Sequence, residues 1–398
     1  MSTTDAALGE RGQVLPVYGA GFVTAFGAHA VAANLGAYAL GRHDSLLELG
    51  LILGVYDAAE VVLKPVFGAV VDRRGAKKVM VGGLIAFGLA SAAFAVGGDP
   101  NLLGAARLAQ GAAAAAFSPA AGAAVATLGG KKRTGRLFGG YGGAKGIGYL
   151  LGPVAGGALV VAGGYRLLFA ILGAVALVAA LAVARLVPEM APLHRPRSGL
   201  VQLVRRISQA SFLQPVLLLG AGTAALSAGV GFLPVLGYRH HLDAVATGAI
   251  VSLLAATAAL LQPWAGRRLD RGRLHPAFAT GGLLTCAGGF GLVVGLSSPL
   301  AMAIAAVAIG AGVAAVTPLG FARLAATAPQ DRLGQTMGVG EVGRELGDAG
   351  GPALIGAFGT LGLGAGFAAI AMALLACAGL ALPRVASPED AAAEVPAT

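Results

Sequence analysis

The 398-residue chain has few charges, few aromatic residues and almost no cysteine, and each scarcity closes off a class of protein. Charged residues make up 12% of the chain and hydrophobic residues 57%. No single soluble core could hide that much apolar surface, so a lipid bilayer is the natural solvent. Only two cysteines occur, Cys286 and Cys377, both inside apolar runs and without metal-ligand spacing. Neither a disulfide nor a metal site is expected. The chain lacks H-E-x-x-H and G-x-S-x-G, and Gly130-Lys131-Lys132-Arg133-Thr134 lacks the glycine spacing of a phosphate-binding loop. No soluble domain large enough to hydrolyse ATP is visible, and no enzyme activity is expected. Residues 1–16 carry Asp5, Glu10 and Arg11 and lack a basic segment followed by a short apolar core, so the first apolar span is expected to act as an uncleaved signal. Acidic residues number 18 against 28 basic ones, a net charge of +10. In a soluble protein that would point to nucleic acid; here the basic residues lie between apolar spans, and no nucleic-acid partner is expected.

Apolar runs long enough to cross about 30 Å of hydrocarbon fall near 17–40, 46–71, 79–97, 101–127, 136–161, 165–187, 213–236, 244–265, 276–296, 299–326, 334–359 and 362–382. They predict an all-α membrane protein with 12 transmembrane helices: an N-terminal six-helix bundle at 1–187, a linker at 188–212, and a C-terminal six-helix bundle with a short tail at 213–398. The connections after helices 2, 4, 6, 8 and 10 carry the basic residues, among them Arg73, Arg74, Lys77 and Lys78, whereas the alternate connections hold only Arg42, Arg166 and Arg239. By the positive-inside rule both termini and the linker are expected on the cytoplasmic side of a plasma (inner) membrane. Leu200, Leu203, Val204 and Ile207 share one helical face of the linker. They suit either a short amphipathic helix on the membrane surface or a plain basic linker.

An internal repeat supports two halves independently of hydropathy. Gly111 matches Gly310, Ser118-Pro119 matches Thr317-Pro318, Gly139 matches Gly338, and Gly152-Pro153 matches Gly351-Pro352, all at an offset of 199. In a chain with 65 glycines single matches carry little weight. A register that runs through a helix, its loop and the next helix implies two pseudo-symmetric bundles.

Three stretches stand out. The first is Gly68-Ala69-Val70-Val71-Asp72-Arg73-Arg74-Gly75-Ala76-Lys77-Lys78, a charged turn between two spans in which Gly75 suits a tight reversal; a weaker copy, Asp270-Arg271-Gly272-Arg273, lies in the second half. The second is Arg107-Leu108-Ala109-Gln110-Gly111 in helix 4, and the third runs from Gly148 to Gly157 in helix 5. Together they resemble the signature motifs of the major facilitator superfamily of transporters, over nearly the whole chain. The resemblance implies a fold of two pseudo-symmetric bundles and transport by alternating access. It implies that Gly68, Asp72, Arg73 and Gly75, with Asp270 and Arg271, form a gating loop in which Asp72 faces the N-terminus of helix 11. Arg107 is implicated in proton coupling. Gly148, Gly152, Pro153, Gly156 and Gly157 match a motif associated with antiporters rather than uptake systems. Ala306 stands where Arg107 would be repeated, so any role of that cation belongs to one half.

Charges inside spans are the most informative residues, because an ion at the bilayer centre costs at least ~2.5 kcal/mol without a partner or water. Helix 2 carries Asp57, Glu60 and Lys64, helix 5 carries Lys145, and helix 11 carries Glu341, Arg344, Glu345 and Asp348. At about 1.5 Å per residue, Lys64 lies level with Glu341, Glu60 with Glu345, and Asp57 with Asp348. Since helices 2 and 11 meet between the halves in the superfamily, Lys64 is expected to pair with Glu341 or Glu345, and Arg344 with Glu60 or Asp57. Either one of these acids binds a coupling proton, or all are permanent ion pairs.

The cavity is less defined. Helix 1 offers His29, Asn34 and Tyr38, and helix 8 offers Gln262 and Trp264. A mostly apolar lining with a few such groups suits an amphiphilic, drug-like solute. With the resemblance, this implies a monomeric exporter of small organic molecules driven by the proton gradient, without cofactor, whose partners are a small-molecule substrate and the lipid bilayer. The alternatives are a uniporter or importer of a polar or anionic metabolite, favoured if Lys145 and Arg344 both face the cavity, and a polytopic receptor.

Overall fold

The computed structural model describes residues 3–42, 46–97, 100–190, 210–242, 244–271, 277–296, 298–329 and 332–381. Helices α1 (Thr3–Arg42), α2 (Leu46–Arg74) and α3 (Ala76–Gly97) come first. Pro100–Leu186 is one helical stretch broken where Gly130 and Gly163-Gly164 leave helical geometry, which makes α4 (100–129), α5 (131–162) and α6 (165–186). After it come α7 (Ala210–Arg239), α8 (Ala244–Asp270), α9 (Phe278–Gly295), α10 (Pro299–Thr327), α11 (Leu333–Gly359) and α12 (Leu363–Ala381). The expected helix order is present. The main difference in extent is α1, which starts at Thr3 rather than near residue 17, because a hydropathy count sees only the part of a helix that lipid would cover. The proposed amphipathic segment of the linker lies outside the described residues.

Among the described residues nine stretches are long and apolar enough to cross a membrane, one of which, Lys132–Leu186, holds both α5 and α6. The two helices left over are α2 and α11. They carry most of the intramembrane charges, and it is their charged faces that turn from lipid toward each other, while Val62, Val66 and Leu346 on their other faces stay exposed. Their outer neighbours expose large apolar side chains such as Val161, Leu260, Leu300 and Leu361, as lipid contact requires.

The halves meet along two seams, α2 against α11 and α5 against α8. Each crossing is made by glycines. A Cβ on Gly68 would lie 2.6 Å from the Gly334 carbonyl oxygen, and one on Gly338 would lie 2.6 Å from that of Lys64. At the second seam Gly266 faces the Gly135 backbone and Gly139 faces that of Gln262, at positions matching the first seam by the repeat. Absence of side chains lets the backbones approach, which is how helices associate in a solvent as apolar as they are.

At the end that carries the charged turns the halves share one apolar core. Phe138 of α5 stacks on Phe321 of α10 with ring centroids 5.0 Å apart, and Met337 of α11 packs among Val17, Met80 and Phe117 of the first half. Midway along α2 and α11 and beyond, Asp57, Ala58, Asp348, Ala349 and Gly350 are exposed. Among the described residues the molecule is closed at the charged-turn end and open toward the other.

Candidate functional site

The closed end is held by two matching caps. Asp72, at the last turn of α2, accepts bonds from the backbone N–H groups of Gly334 (2.6 Å) and Gln335 (3.0 Å) at the start of α11. Asp270, the last residue of α8, accepts from Gly135 (2.8 Å) and Arg136 (2.7 Å) near the start of α5. The first N–H groups of a helix have no partner within it and carry the positive end of its dipole, so a carboxylate is the complementary group. Gly75 follows Asp72 with φ 88° and reverses the chain into α3, while Arg73 and Arg271 are exposed. Gly266 was not singled out by sequence reasoning. The signal was present, since Gly266-Arg267-Arg268-Leu269-Asp270-Arg271 repeats the G-x-x-x-D-R spacing of Gly68 to Arg73.

Beyond the caps, the α2/α11 seam opens into a central cavity of about 270 Å³ lined by α1, α2, α4, α5 and α11. The expectation of an apolar lining fails: Asp57, Glu60, Lys64, Arg107, Lys145, Arg344, Glu345 and Asp348 all face it. Rotation of the helices turns these charges into one cavity although they lie at several depths along it, and hydropathy does not register rotation.

Lys64 is the centre of the cluster and only 1% exposed. Its Nζ lies 2.6 Å from Glu345 Oε1 across the seam, 2.8 Å from Glu60 Oε2 one turn back, and 3.7 Å from Glu341 Oε2. Arg344 does not reach Glu60 or Asp57 as expected. It turns toward α5, with Nε 3.6 Å from Glu341 and Nη2 3.8 Å from Glu345 and 3.4 Å from the Tyr149 hydroxyl. The reason is angular: Arg344 lies one position before Glu345, about 100° round a 3.6-residue helix, so the two face different neighbours. Asp57 and Asp348 have no ion pair within 4 Å among the described residues.

Arg107 joins the cluster through Tyr56. Its guanidinium lies 4.1 Å over the Tyr56 ring, and the Tyr56 hydroxyl points at Glu60 Oε1 at 3.4 Å. On its other side Arg107 donates to Gln110 (3.3 Å), whose Nε2 donates to Ser91 (2.8 Å). Tyr56 and Tyr149 are site residues that sequence reasoning missed, because an aromatic residue in an apolar span carries no signal until its hydroxyl is placed.

The α5 motif makes the contact with α1. Gly148 faces the backbone of Phe22 and Phe26, Gly152 faces Phe26 and Ala30, and Gly156 faces Ala30. Pro153 and Gly157 are half-buried in the same helix. The packing brings His29 beside Tyr149, with ring centroids 4.3 Å apart, and His29 donates from Nδ1 to the Ala25 carbonyl oxygen at 3.1 Å. His29 therefore lines the cavity.

Gln262 and Trp264 do not. Gln262 is buried at the α5/α8 seam against Gly142. Trp264 lines a separate apolar pocket with Phe278, Gly282 and Gly312, under Arg268 at 5.0 Å. Among the described residues no part of α8 lines the cavity, and apolar periodicity does not tell a helix that faces a cavity from one that packs at a seam. The side chains of Asn34 and Tyr38 lie outside the described residues. Among the described residues no group of histidine, cysteine and acidic side chains is arranged to hold a metal ion.

Two helical bundles, crossing at glycine seams and enclosing a charged cavity closed at one end, have the architecture of a membrane transporter. The chain belongs to the Major Facilitator Superfamily, whose sequence profile matches residues 17–273 and 217–397. It is 31% identical over 138 residues to multidrug resistance protein 2 of Bacillus subtilis, covering 35% of this chain and 34% of that protein. It is 25% identical over 206 residues to the quinolone resistance protein NorA of Staphylococcus aureus, covering 50% of each. It is 32% identical over 185 residues to a probable actinorhodin transporter of Streptomyces coelicolor, covering 46% of this chain and 31% of that one. The matched stretch thus spans half or less of the length of these curated relatives.

Solved structures extend the likeness to nearly the full chain. The human organic anion transporter MFSD10 (TETRAN) superposes with a TM-score of 0.75 at 20% identity, covering 94% of this chain and 99% of that one. The Escherichia coli fucose:proton symporter FucP (N162A) gives 0.75 at 14%, covering 93% and 98%. At these identities the likeness speaks for the fold alone.

Proposed function

We propose that this chain is a proton-coupled exporter of small organic molecules, working by alternating access, and that the conformation described is its outward-facing state. The observation that carries the reading is that three carboxylates, Glu60, Glu341 and Glu345, share two cations, Lys64 and Arg344, at the α2/α11 seam. One acid is in surplus. A proton has a place there, and taking it up weakens an attraction that holds α2 against α11. Lys145, Arg107 and His29 face the same cavity from α5, α4 and α1 and set the field in which that proton binds.

The positive-inside rule assigns the capped, basic end to the cytoplasm, so a cavity open at the other end faces outward, with both termini cytoplasmic in the plasma membrane. The relatives named for multidrug, quinolone and actinorhodin handling, together with the Gly148–Gly157 motif, favour export. One chain encloses the whole cavity, so a monomer suffices, with substrate, lipid and the proton gradient as its requirements and no cofactor or nucleic acid.

A second reading has its own support. Lys145 and Arg344 both line the cavity, which favours a uniporter or importer of a polar or anionic metabolite. A polytopic receptor would show ligand binding without flux. Lumenal pH in proteoliposomes of known orientation separates the three as amphiphilic cations, neutral drugs, organic anions and zwitterions are added. A solute-driven pH change of antiport sign, lost in Glu60→Gln or Glu345→Gln, supports export; solute movement without a pH change supports the second reading; no flux supports the third.

A further inference from the structure

The repeat relates Lys145 to Arg344, yet the two cations are treated differently. Arg344 lies within 4 Å of Glu341 and Glu345 on its own helix. The positions of α5 that match those acids are Gly142 and Gly146, which are used for packing against Gln262 and Ala259 of α8. In the stretch where Gly68 and Asp72 match Gly266 and Asp270, at an offset of 198, Lys64 matches Gln262 itself. The α5/α8 seam is thus a neutral copy of the α2/α11 seam, apart from one cation.

Lys145 is 8% exposed and lines the central cavity. Among the described residues it has no carboxylate within ion-pair distance; its nearest recorded contact is the face of the Tyr141 ring, 5.7 Å from Nζ to the centroid. Glu341, Glu345 and Glu60 act on it only at longer range and are already in contact with Lys64 or Arg344, so a buried ammonium with no anion in contact gains from a ligand that brings one. Across the cavity Asp348 of α11 presents an exposed carboxylate, also without an ion pair. Counted from the capped ends of their helices, Lys145 lies ten residues past Gly135 and Asp348 fourteen past Gly334. At about 1.5 Å per residue the two charges are offset by about 6 Å along the cavity.

We infer that the cavity takes a zwitterionic small molecule, with its acid group on Lys145 and its ammonium group on Asp348. This rests on the reading that the central cavity is the transport site. A molecule of one sign would satisfy one anchor and leave the other buried or desolvated without a partner. A zwitterion satisfies both and leaves the cavity's net charge unchanged. Charged recognition at both ends also explains why the lining holds so few large apolar side chains.

The test is equilibrium binding to the purified full-length protein in detergent, using phenylalanine, tryptophan and 4-(aminomethyl)benzoate, each beside its methyl ester and its N-acetyl derivative. These remove one charge at a time from an otherwise matched probe. At least one parent zwitterion is expected to bind, with both derivatives weakened about tenfold or more. Lys145→Gln is expected to abolish the preference of acid over ester while keeping that of amine over amide. Asp348→Asn is expected to do the reverse, and Lys145→Arg to retain both. Each preference is a ratio measured within one sample, so it is insensitive to partial loss of folded protein. The inference is overturned if no parent binds the wild-type protein, if ester or amide binds as well as its parent, or if the substitutions leave both ratios unchanged. A zwitterion that binds with these preferences but moves no protons in liposomes keeps the substrate assignment and removes proton-coupled export. Proton-coupled flux of ester and parent alike does the opposite.

Discussion

Asp72 and Asp270 stand at equivalent places in the two halves and do a like thing: each carboxylate binds two backbone N–H groups near the start of a helix of the other half, Asp72 in the first turn of α11 and Asp270 at the matching positions 135 and 136, in the second turn of α5. Four backbone N–H groups are satisfied across the seams by two side chains. All four bonds break if the halves part at this end, so the caps stabilise the closed arrangement.

Asp72→Ala and Asp270→Ala are therefore expected to shift the population toward a conformation open at the charged-turn end. Loss of a helix cap costs about 0.5–2 kcal/mol, or roughly 2- to 30-fold in the equilibrium. Spin-label distance distributions across that end would measure it. The two changes act on one equilibrium, so the double variant is expected to add their free energies; a double variant no more open than either single would break the symmetry argument.

Lys64→Met leaves buried Glu60 without a cation in contact and Glu341 and Glu345 with Arg344 alone, and is expected to destabilise the protein by about 3–5 kcal/mol, seen as a lower unfolding temperature in detergent. Reversal of the pair, Lys64→Glu with Glu345→Lys, is expected to recover part of what either single change loses. The same exchange with Glu341 is expected to recover less, because Glu341 lies 3.7 Å from Lys64 and Glu345 lies 2.6 Å away.

Gly148→Ala places a methyl group 2.7 Å from the Phe22 carbonyl oxygen, a backbone atom that cannot step aside. A loss of about 1–3 kcal/mol is expected as α1 and α5 are forced apart. Gly248→Ala, where nothing lies within 4 Å, is the control; it is expected to be neutral or to gain up to about 1 kcal/mol in helix propensity. Thermal unfolding of both variants side by side gives the comparison.

Trp264→Phe is expected to leave solute flux within about twofold of wild type, since the ring lies in a separate apolar pocket and surface substitutions of this kind change little. A tenfold loss in proteoliposome transport would place Trp264 in the substrate path.

Much of the fold is legible in the sequence. Apolar runs of spanning length, loops with one sign of charge, and a repeat at a fixed offset report on solvent and symmetry, which act on every residue of a span. The charges Asp57, Glu60, Lys64, Glu341, Arg344 and Glu345 marked one face of helix 2 and one of helix 11 as turned from lipid, and the resemblance to the superfamily implied that those two faces meet. What the chain alone could not decide was which charge faces which. That depends on about 100° of rotation per residue and on the seam crossing at Gly68 and Gly334. Those two quantities send Lys64 to Glu345, turn Arg344 toward Tyr149, and leave Lys145 beside Gly142 and Gly146 without an acid. Composition and periodicity determined that the protein lives in a membrane as two matched bundles. Only tertiary packing, which sets helix rotation and depth to within a side chain's reach, decided that its cavity is charged.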